Sequence, residues 1–557
     1  MLLPQLVASR WGRLAVVLLV CASSFFVHAD APAVSLMEAR NFVAAREMVA
    51  GGSWLIPTMN GELRLAKPPL PTWAVATLQQ LTGPTTQLGL LRLPAALAAT
   101  LLVLFFWGLA LELTRTQAAE VSAPGRTAWL AALVLASSLL VITTGREGQW
   151  DIFANSLMVG GVWLLVRGWQ RPQGFGSCIG AGVLMGLAIL SKGPVPVYGV
   201  LLPFLGAYLI RQPHNRQLVA RRAKATAAAA LLALGIGGSW PVYIWMHVAP
   251  VARQVAHTEM SSWADRHVQP FWYYWSFFAF TGLWALVALA SLVVPYARPR
   301  LRAFIPYLLI FAWVMGGLLL LSIVPEKKER YMLPLMPPLA LLVAGLLRYW
   351  EAKPTTSLSS PDGWLLRGWG WLLATLCVAL PVAVLLVHLP GFEPSGLRFL
   401  SVSIVFVALA VGVVLQLLRG VRPGGLIVAT LLITSAVLVL LMPVYPAWES
   451  RHATAGLRHM EEVADRPAFA QVRQWRSLDT LHVKQVWLAG RAVPVWHPTS
   501  AALQQLKAPV VVVAGSAIHK KLPPEWARWV RISQQDSFWL GRDTKSGYWL
   551  ISRLDPI

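Results

Sequence analysis

The stretch SLMEARNFVAAREMVAGGSWLIPTMNGELRLAKPPLPTW, Ser35 to Trp73, holds a dense set of charges in a chain otherwise built of apolar runs. From Glu38 onward Phe42, Val43, Met48 and Val49 fall at helical spacing among Arg40, Arg46 and Glu47, so the spacing predicts an amphipathic helix. Gly51-Gly52 ends it, Asn60-Gly61 marks a turn, and Lys67-Pro68-Pro69 fixes an extended backbone that opens on a lysine. A basic amphipathic helix resting on a membrane surface accounts for the arginines. It does not account for an acid, a turn and a Lys-Pro-Pro recurring so close together, and these point to a functional site.

The surroundings of this stretch set its context. Of 557 residues, 56% are hydrophobic and 13% charged, and the mean hydropathy is +0.58. Those values exclude an ordinary soluble protein. Apolar runs near 14–27, 93–113, 127–144, 152–168, 177–191, 194–210, 225–246, 274–296, 303–324, 331–348, 370–388, 399–418 and 424–444 give about thirteen membrane spans. The first run could pass for a signal peptide but reads better as a retained span. The net charge of +23 sits mostly beside spans, where orientation and anionic lipid explain it; nucleic acid is not the expected partner. The three cysteines, Cys21, Cys178 and Cys377, lie in or beside apolar stretches and form no disulfide or metal pattern. The 27 tryptophans suit interfacial belts.

Alternate connections carry the cations, among them Arg115/Arg126, Arg211 to Lys224 and Arg298/Arg300/Arg302. The positive-inside rule puts those in the cytoplasm and the opposite set outside, including Ser35–Arg92 and everything after Met442. After Tyr445 the composition changes. Short β-rich runs at Lys484–Gly490, Pro509–Gly515, Ser537–Gly541 and Tyr548–Leu554, with helices at Ala453–Ala464 and Ser500–Leu506, predict one small α/β domain. The expected architecture is an all-α polytopic membrane domain over residues 1–444, with an interfacial first outer loop over 30–92. A periplasmic α/β domain follows over 445–557.

The charges that call for chemistry fall on the outer side. Asp151 opens a span behind the loop Gly145 to Trp150, and reads equally as a helix N-cap or as a functional acid. Lys192 sits at a hairpin between spans and reads equally as a snorkelling lysine. Arg266 and His267 lead into the aromatic belt Phe271 to Tyr274, and Arg266 has the reach to bind a phosphate. Pro325-Glu326-Lys327-Lys328-Glu329-Arg330-Tyr331 breaks the positive-inside trend with cations on the outer face, which a bound anion explains. No Walker loop, dinucleotide fingerprint or nucleophile elbow is present. Glu38 and Asp151 are both read as polar positions near water.

These residues resemble the membrane glycosyltransferases of the aminoarabinose transferase and protein O-mannosyltransferase superfamily, the GT-C fold. The resemblance rests on Met37-Glu38-Ala39-Arg40 with Ala45-Arg46-Glu47-Met48, and on Asn60-Gly61 with Lys67-Pro68-Pro69-Leu70. Lys192-Gly193-Pro194, His267 before Pro270 to Tyr274, and Arg330-Tyr331-Met332-Leu333-Pro334 complete it. It implies a transferase taking a sugar from a polyprenyl-phosphate donor, undecaprenyl phosphate, to lipid A or a hydroxyl acceptor at the outer face of the inner membrane. By position Glu38 and Asp151 resemble the family's catalytic acids. Lys67 and Tyr331 resemble its phosphate-holding groups, with Arg40, Lys192, Arg266, His267, Lys327 and Arg330 as further substrate-binding candidates. Many relatives carry a glutamate where this chain has Ala66, and with a later histidine it is associated with a metal. A divalent cofactor therefore stays open here. A flippase for lipid-linked sugars is the rival reading, but such proteins tend to hold charges near the midplane.

Overall fold

The computed structural model describes residues 9–211, 213–265, 267–353, 359–388, 392–393, 396–450, 455–539 and 548–557. The chain divides into two compact units. The first comprises residues 1–29, 65–71 and 92–443; the second comprises 30–64, 72–91 and 444–557. Most of the first outer loop is therefore grouped with the C-terminal segment, while Lys67-Pro68-Pro69 is grouped with the spans.

The first unit is helical and apolar. Among the described residues, nine helices are long and apolar enough to cross a membrane, and ten if the bent pair Arg126–Ala136 and Leu139–Gly145 is one span. The chain is a multi-pass membrane protein. Val197–Arg211 and Tyr307–Ile323 are apolar but shorter, and the first segment is a helix, Arg10–Cys21, ending in a wider turn, Ala22–Phe26. Length alone therefore yields fewer spans than the apolar runs suggest.

The departures have local causes. The bent pair turns by 61° where Ser137 and Ser138 donate their hydroxyls back to Leu133 O and Val134 O, each at 2.7 Å. Such bonds compete with the backbone ladder and bend helices. The run expected at 274–296 breaks at Gly282, whose φ of +69° favours glycine. The run expected at 225–246 continues to Asp265 past a kink at Val248, just ahead of Pro250, which lacks an N–H for the ladder.

Arg146 fixes the end of the first segment. It is 4% exposed and donates to Ser24 O at 2.7 Å, Val27 O at 2.6 Å, His28 O at 3.2 Å and Ser23 O at 3.4 Å. A helix C-terminus leaves carbonyls unpaired and carries partial negative charge, so one guanidinium answers both needs. Arg92 does the same for Ala29 O at 2.7 Å.

The second unit is built on a four-stranded mixed sheet in the order Gln474–Ser477, Val510–Ala514, Tyr548–Pro556, Val530–Trp539. The first pair is parallel and the other two antiparallel. The run Lys484–Gly490, expected as β, is instead the helix Val483–Leu488, capped by His482 and Gln485. Val483, Val486 and Trp487 recur at three and four residues, which is helical spacing.

In the same unit Leu36–Val49 forms the expected helix, closed at its start by a capping box between Ser35 and Glu38. Its apolar side packs on Val483, Val486 and Trp487, with the Phe42 and Trp487 rings 5.5 Å apart. Arg46 donates to Val486 O at 3.0 Å and Trp487 O at 3.3 Å. Asn60 and Gly61 have φ of +58° and +79°, the turn conformation that Asn-Gly adopts readily, and close the hairpin Thr58–Met59 with Glu62–Leu63. Asn60 Nδ2 donates to Val493 O at 2.8 Å, and its Oδ1 accepts from Val493 N at 2.6 Å. Glu47 Oε1 and Oε2 accept from Asn60 N and Thr58 Oγ1, each at 2.6 Å.

Candidate active site

Within the first unit several of the charges singled out in the sequence converge on Asp151. This residue lies in the first turn of Trp150–Gln170, and Lys192 is the last residue of Phe175–Lys192. A carboxylate suits a helix start and an ammonium a helix end. Because the two helices follow one another and pack together, those two ends meet. Gly193 then stops the second helix with φ of +66°. Lys192 donates directly to Asp151 Oδ1. Arg330, carried by the 3-10 turn Glu329–Leu335, brings its Nε to 3.6 Å from Asp151 Oδ2.

The Tyr331 ring forms the floor of this ion cluster. Its centroid lies 4.9 Å from Lys192 Nζ, 5.7 Å from the Arg330 guanidinium and 5.8 Å from Lys328 Nζ, inside the range at which a cation is drawn to a ring face. The Tyr331 hydroxyl lies 3.4 Å from Glu326 Oε1, which also accepts from Lys328 Nζ at 2.5 Å. Lys67 pairs with Glu259 at 2.7 Å, close enough for its charge to act on Lys192. In this ion-paired set four cations face three carboxylates, leaving one positive charge in excess.

A short ribbon holds the turn that carries Arg330 and Tyr331. Val268 bridges Glu326 in antiparallel fashion, Gln269 N donates to Pro325 O and Lys327 N to His267 O, both at 3.2 Å. Lys327 Nζ donates to Val324 O at 2.7 Å and Gln269 O at 3.1 Å, and burial pushes its pKa below the usual lysine range. The side chain of Lys327 thus clasps the ribbon. His267 is exposed and has φ of +51°. Arg266 lies outside the described residues.

Glu38 and Arg40 belong to the second unit. Glu38 is fully buried, and its Oε2 accepts from Ser35 N at 2.9 Å. Arg40 is partly buried, with Nη1 3.9 Å from Met37 Sδ. The expectation that both acids sit near water is corrected, since Asp151 is 4% exposed: its two cationic partners replace solvent around it. Among the described residues no three His, Cys, Asp or Glu side chains gather as a metal site.

Sequence reasoning passed over Glu259 and did not select Glu326, although both hold cations of the cluster. Glu326 stands inside the charged Pro325 to Tyr331 segment, where it reads as one of a solvated run. Glu259 lies on the continuation of a helix beyond the stretch read as apolar.

Comparison with known proteins follows the same lines. The family model for dolichyl-phosphate-mannose-protein mannosyltransferases matches residues 66–245. The chain is 30% identical over 323 residues to the undecaprenyl phosphate-alpha-4-amino-4-deoxy-L-arabinose arabinosyl transferase of Aeromonas hydrophila, covering 54% of this chain and 53% of that one. It is 26% identical over 387 residues to the enzyme of the same name from Pectobacterium carotovorum, covering 66% and 65%. The chain thus matches between about half and two thirds of the length of these curated relatives. In fold it is similar to the crystal structure of ArnT from Cupriavidus metallidurans bound to undecaprenyl phosphate. The TM-score is 0.69 at 18% identity, with 98% of each chain covered. These similarities bear out the resemblance read from the sequence motifs.

Proposed function

We propose that this chain is a glycosyltransferase that moves 4-amino-4-deoxy-L-arabinose from undecaprenyl phosphate to lipid A at the periplasmic face of the inner membrane. The observation that carries the reading is the cluster of Asp151, Lys192 and Arg330 over Tyr331, in a chain whose fold matches an undecaprenyl-phosphate-bound protein along nearly its whole length. In this reading residues 1–444 supply thirteen membrane segments, counting the shorter apolar helices and the first one. The loop 30–92 and the domain 445–557 lie on the periplasmic side.

Transfer breaks the bond between the sugar's anomeric carbon and a phosphate oxygen. The electron pair stays on that oxygen, and an acceptor oxygen bonds to the carbon. Charge grows on the departing phosphate, so preorganised cations lower the barrier. Lys67 and Arg330 fill that role, with the Tyr331 hydroxyl as a further donor. The excess positive charge of the ion-paired set matches the single charge of a phosphodiester donor. Asp151 holds Lys192 and Arg330 in place, and its charge favours oxocarbenium character on the sugar.

Glu38, carried over by resemblance, is the second acid, and Arg40 and His267 are further donor-binding groups. A lipid A phosphate is already an anionic nucleophile and needs no base, whereas a hydroxyl acceptor would need one, for which Glu38 is the candidate. The match to the protein mannosyltransferase model keeps a hydroxyl acceptor as the second reading.

Mass spectrometry of lipid A and of polyprenyl-phosphate sugars, in cells with and without the protein, tests this. Lipid A carrying an added aminopentose only when the protein is present supports the proposal. A carrier-linked sugar that accumulates on deletion, with lipid A unchanged, moves the acceptor to a hydroxyl. No change in either pool overturns the transferase.

A further inference from the structure

At the end of the spans remote from Asp151 the first unit has a cavity of about 860 Å³, within the roughly 300–1,000 Å³ typical of ligand sites. Trp150–Gln170 has 21 residues, so Arg171, just past its end, stands about 30 Å along the helix from Asp151. Four arginines line the cavity: Arg10, Arg13, Arg115 and Arg171. They come from three separate parts of the chain, and the folded bundle collects them on one space.

We propose that this cavity binds the phosphodiester headgroup of an anionic membrane phospholipid. The charge balance favours an anion. Glu112 is shared by Arg171, at 2.8 Å, and Arg115, at 3.6 Å. Glu120 is committed to the backbone N–H groups of Gly125 and Thr127. Two carboxylates therefore face four guanidiniums. Arg10 is exposed and has no ion pair among the described residues. Trp107 adds an aromatic side chain to the cavity wall.

The apolar part of the wall favours a lipid over a soluble anion. Leu104, Trp107 and Leu111 follow one another at three and four residues along Leu93–Thr114, so one helix face presents a greasy strip that ends at Arg115. Trp11, 80% exposed, stands at the rim, where tryptophans sit at the headgroup level of a bilayer. Guanidiniums at one end and aliphatic side chains along the other fit an amphipathic ligand. The surface arginines of the positive-inside pattern need only flank a span; these line one shared concavity.

The test is native mass spectrometry of the purified full chain, titrated with dioleoyl phosphatidylglycerol, dioleoyl phosphatidylcholine or inorganic phosphate. Phosphatidylglycerol is expected to bind about tenfold more tightly than phosphatidylcholine. The double variant R10Q/W107F should lose at least about fivefold of that affinity with its melting temperature kept, while R419Q, which does not line the cavity, should lose none. R10Q alone, at an exposed position, gives the same readout should the double variant fail to fold. Equal binding of the two lipids, or a folded variant that keeps full affinity, overturns the proposal. Inorganic phosphate that displaces phosphatidylglycerol at matching concentration replaces it with a soluble-anion site.

Discussion

Asp151 is buried between two cations, and that gives its charge a structural part beside the chemical one proposed for it. Removing one partner of a buried pair leaves the other uncompensated, at a cost of about 3–5 kcal/mol. D151N is therefore expected to abolish transfer and also to lower the melting temperature, by stranding Lys192. The double variant D151N/K192M should regain stability without regaining activity; recovery of both would sink the chemical role of Asp151. Glu38 allows a cleaner separation. Glutamine at the third helical position also closes a capping box, so E38Q should melt as the parent does while losing transfer by at least about a hundredfold. A variant that retains activity removes Glu38 from the chemistry.

At the scale of elements, Asp479 ties the sheet together. It follows the strand Gln474–Ser477, and its Oδ2 accepts from Gly515 N at 2.7 Å, just past the strand Val510–Ala514. Its Oδ1 takes an ammonium proton from Lys521. Burial alone would raise this carboxyl, but Lys521 and the Gly515 N–H outweigh it and hold the pKa below the usual range. A depressed carboxyl contributes stability above its unfolded pKa, about 3.9, and loses it as the pH falls through the folded value. Thermal melts of the wild type should fall through that acid window more steeply than those of D479N; parallel profiles would remove Asp479 as a source of acid sensitivity. The sequence made some of this level legible. Helix Leu36–Val49, its glycine stop and the Asn60-Gly61 turn were readable because each depends on neighbours within a few residues. The helix Val483–Leu488 was misread because a run of six carries too little period to separate helix from strand. The pairing of Asp151 with Lys192 and Arg330 joins positions 41 and 179 residues away in the chain, and no local pattern reports that. The motifs named Asp151, Lys192 and Arg330 but neither Glu259 nor Glu326, and the contacts needed the fold.

At the scale of the whole molecule, residues 30–64 and 72–91 are grouped with 444–557, and the core they begin is completed by the C-terminal segment. Phe42 and Met48 are buried in a cluster completed by Val486 and Trp487, and Asn60 is held by Val493. A chain truncated after Pro443 should keep its membrane insertion but expose the helix Leu36–Val49 and its hairpin to protease. Limited proteolysis of membranes checks this: new cleavage within residues 36–64 is expected, and an unchanged pattern would mean that the loop is self-sufficient.

That same discontinuity bears on how the protein is made. Residues 30–91 leave the ribosome roughly 400 residues or more before their partners, and at about 5–20 residues per second the delay is some tens of seconds. Through that interval the face of Phe42, Val43 and Met48 has Val75, Ala76 and Leu91 of the loop to pack on, but not Val483, Val486 and Trp487. A newborn copy therefore passes through a stage in which a half-built domain must be sheltered, by the lipid surface or by a chaperone, until translation ends.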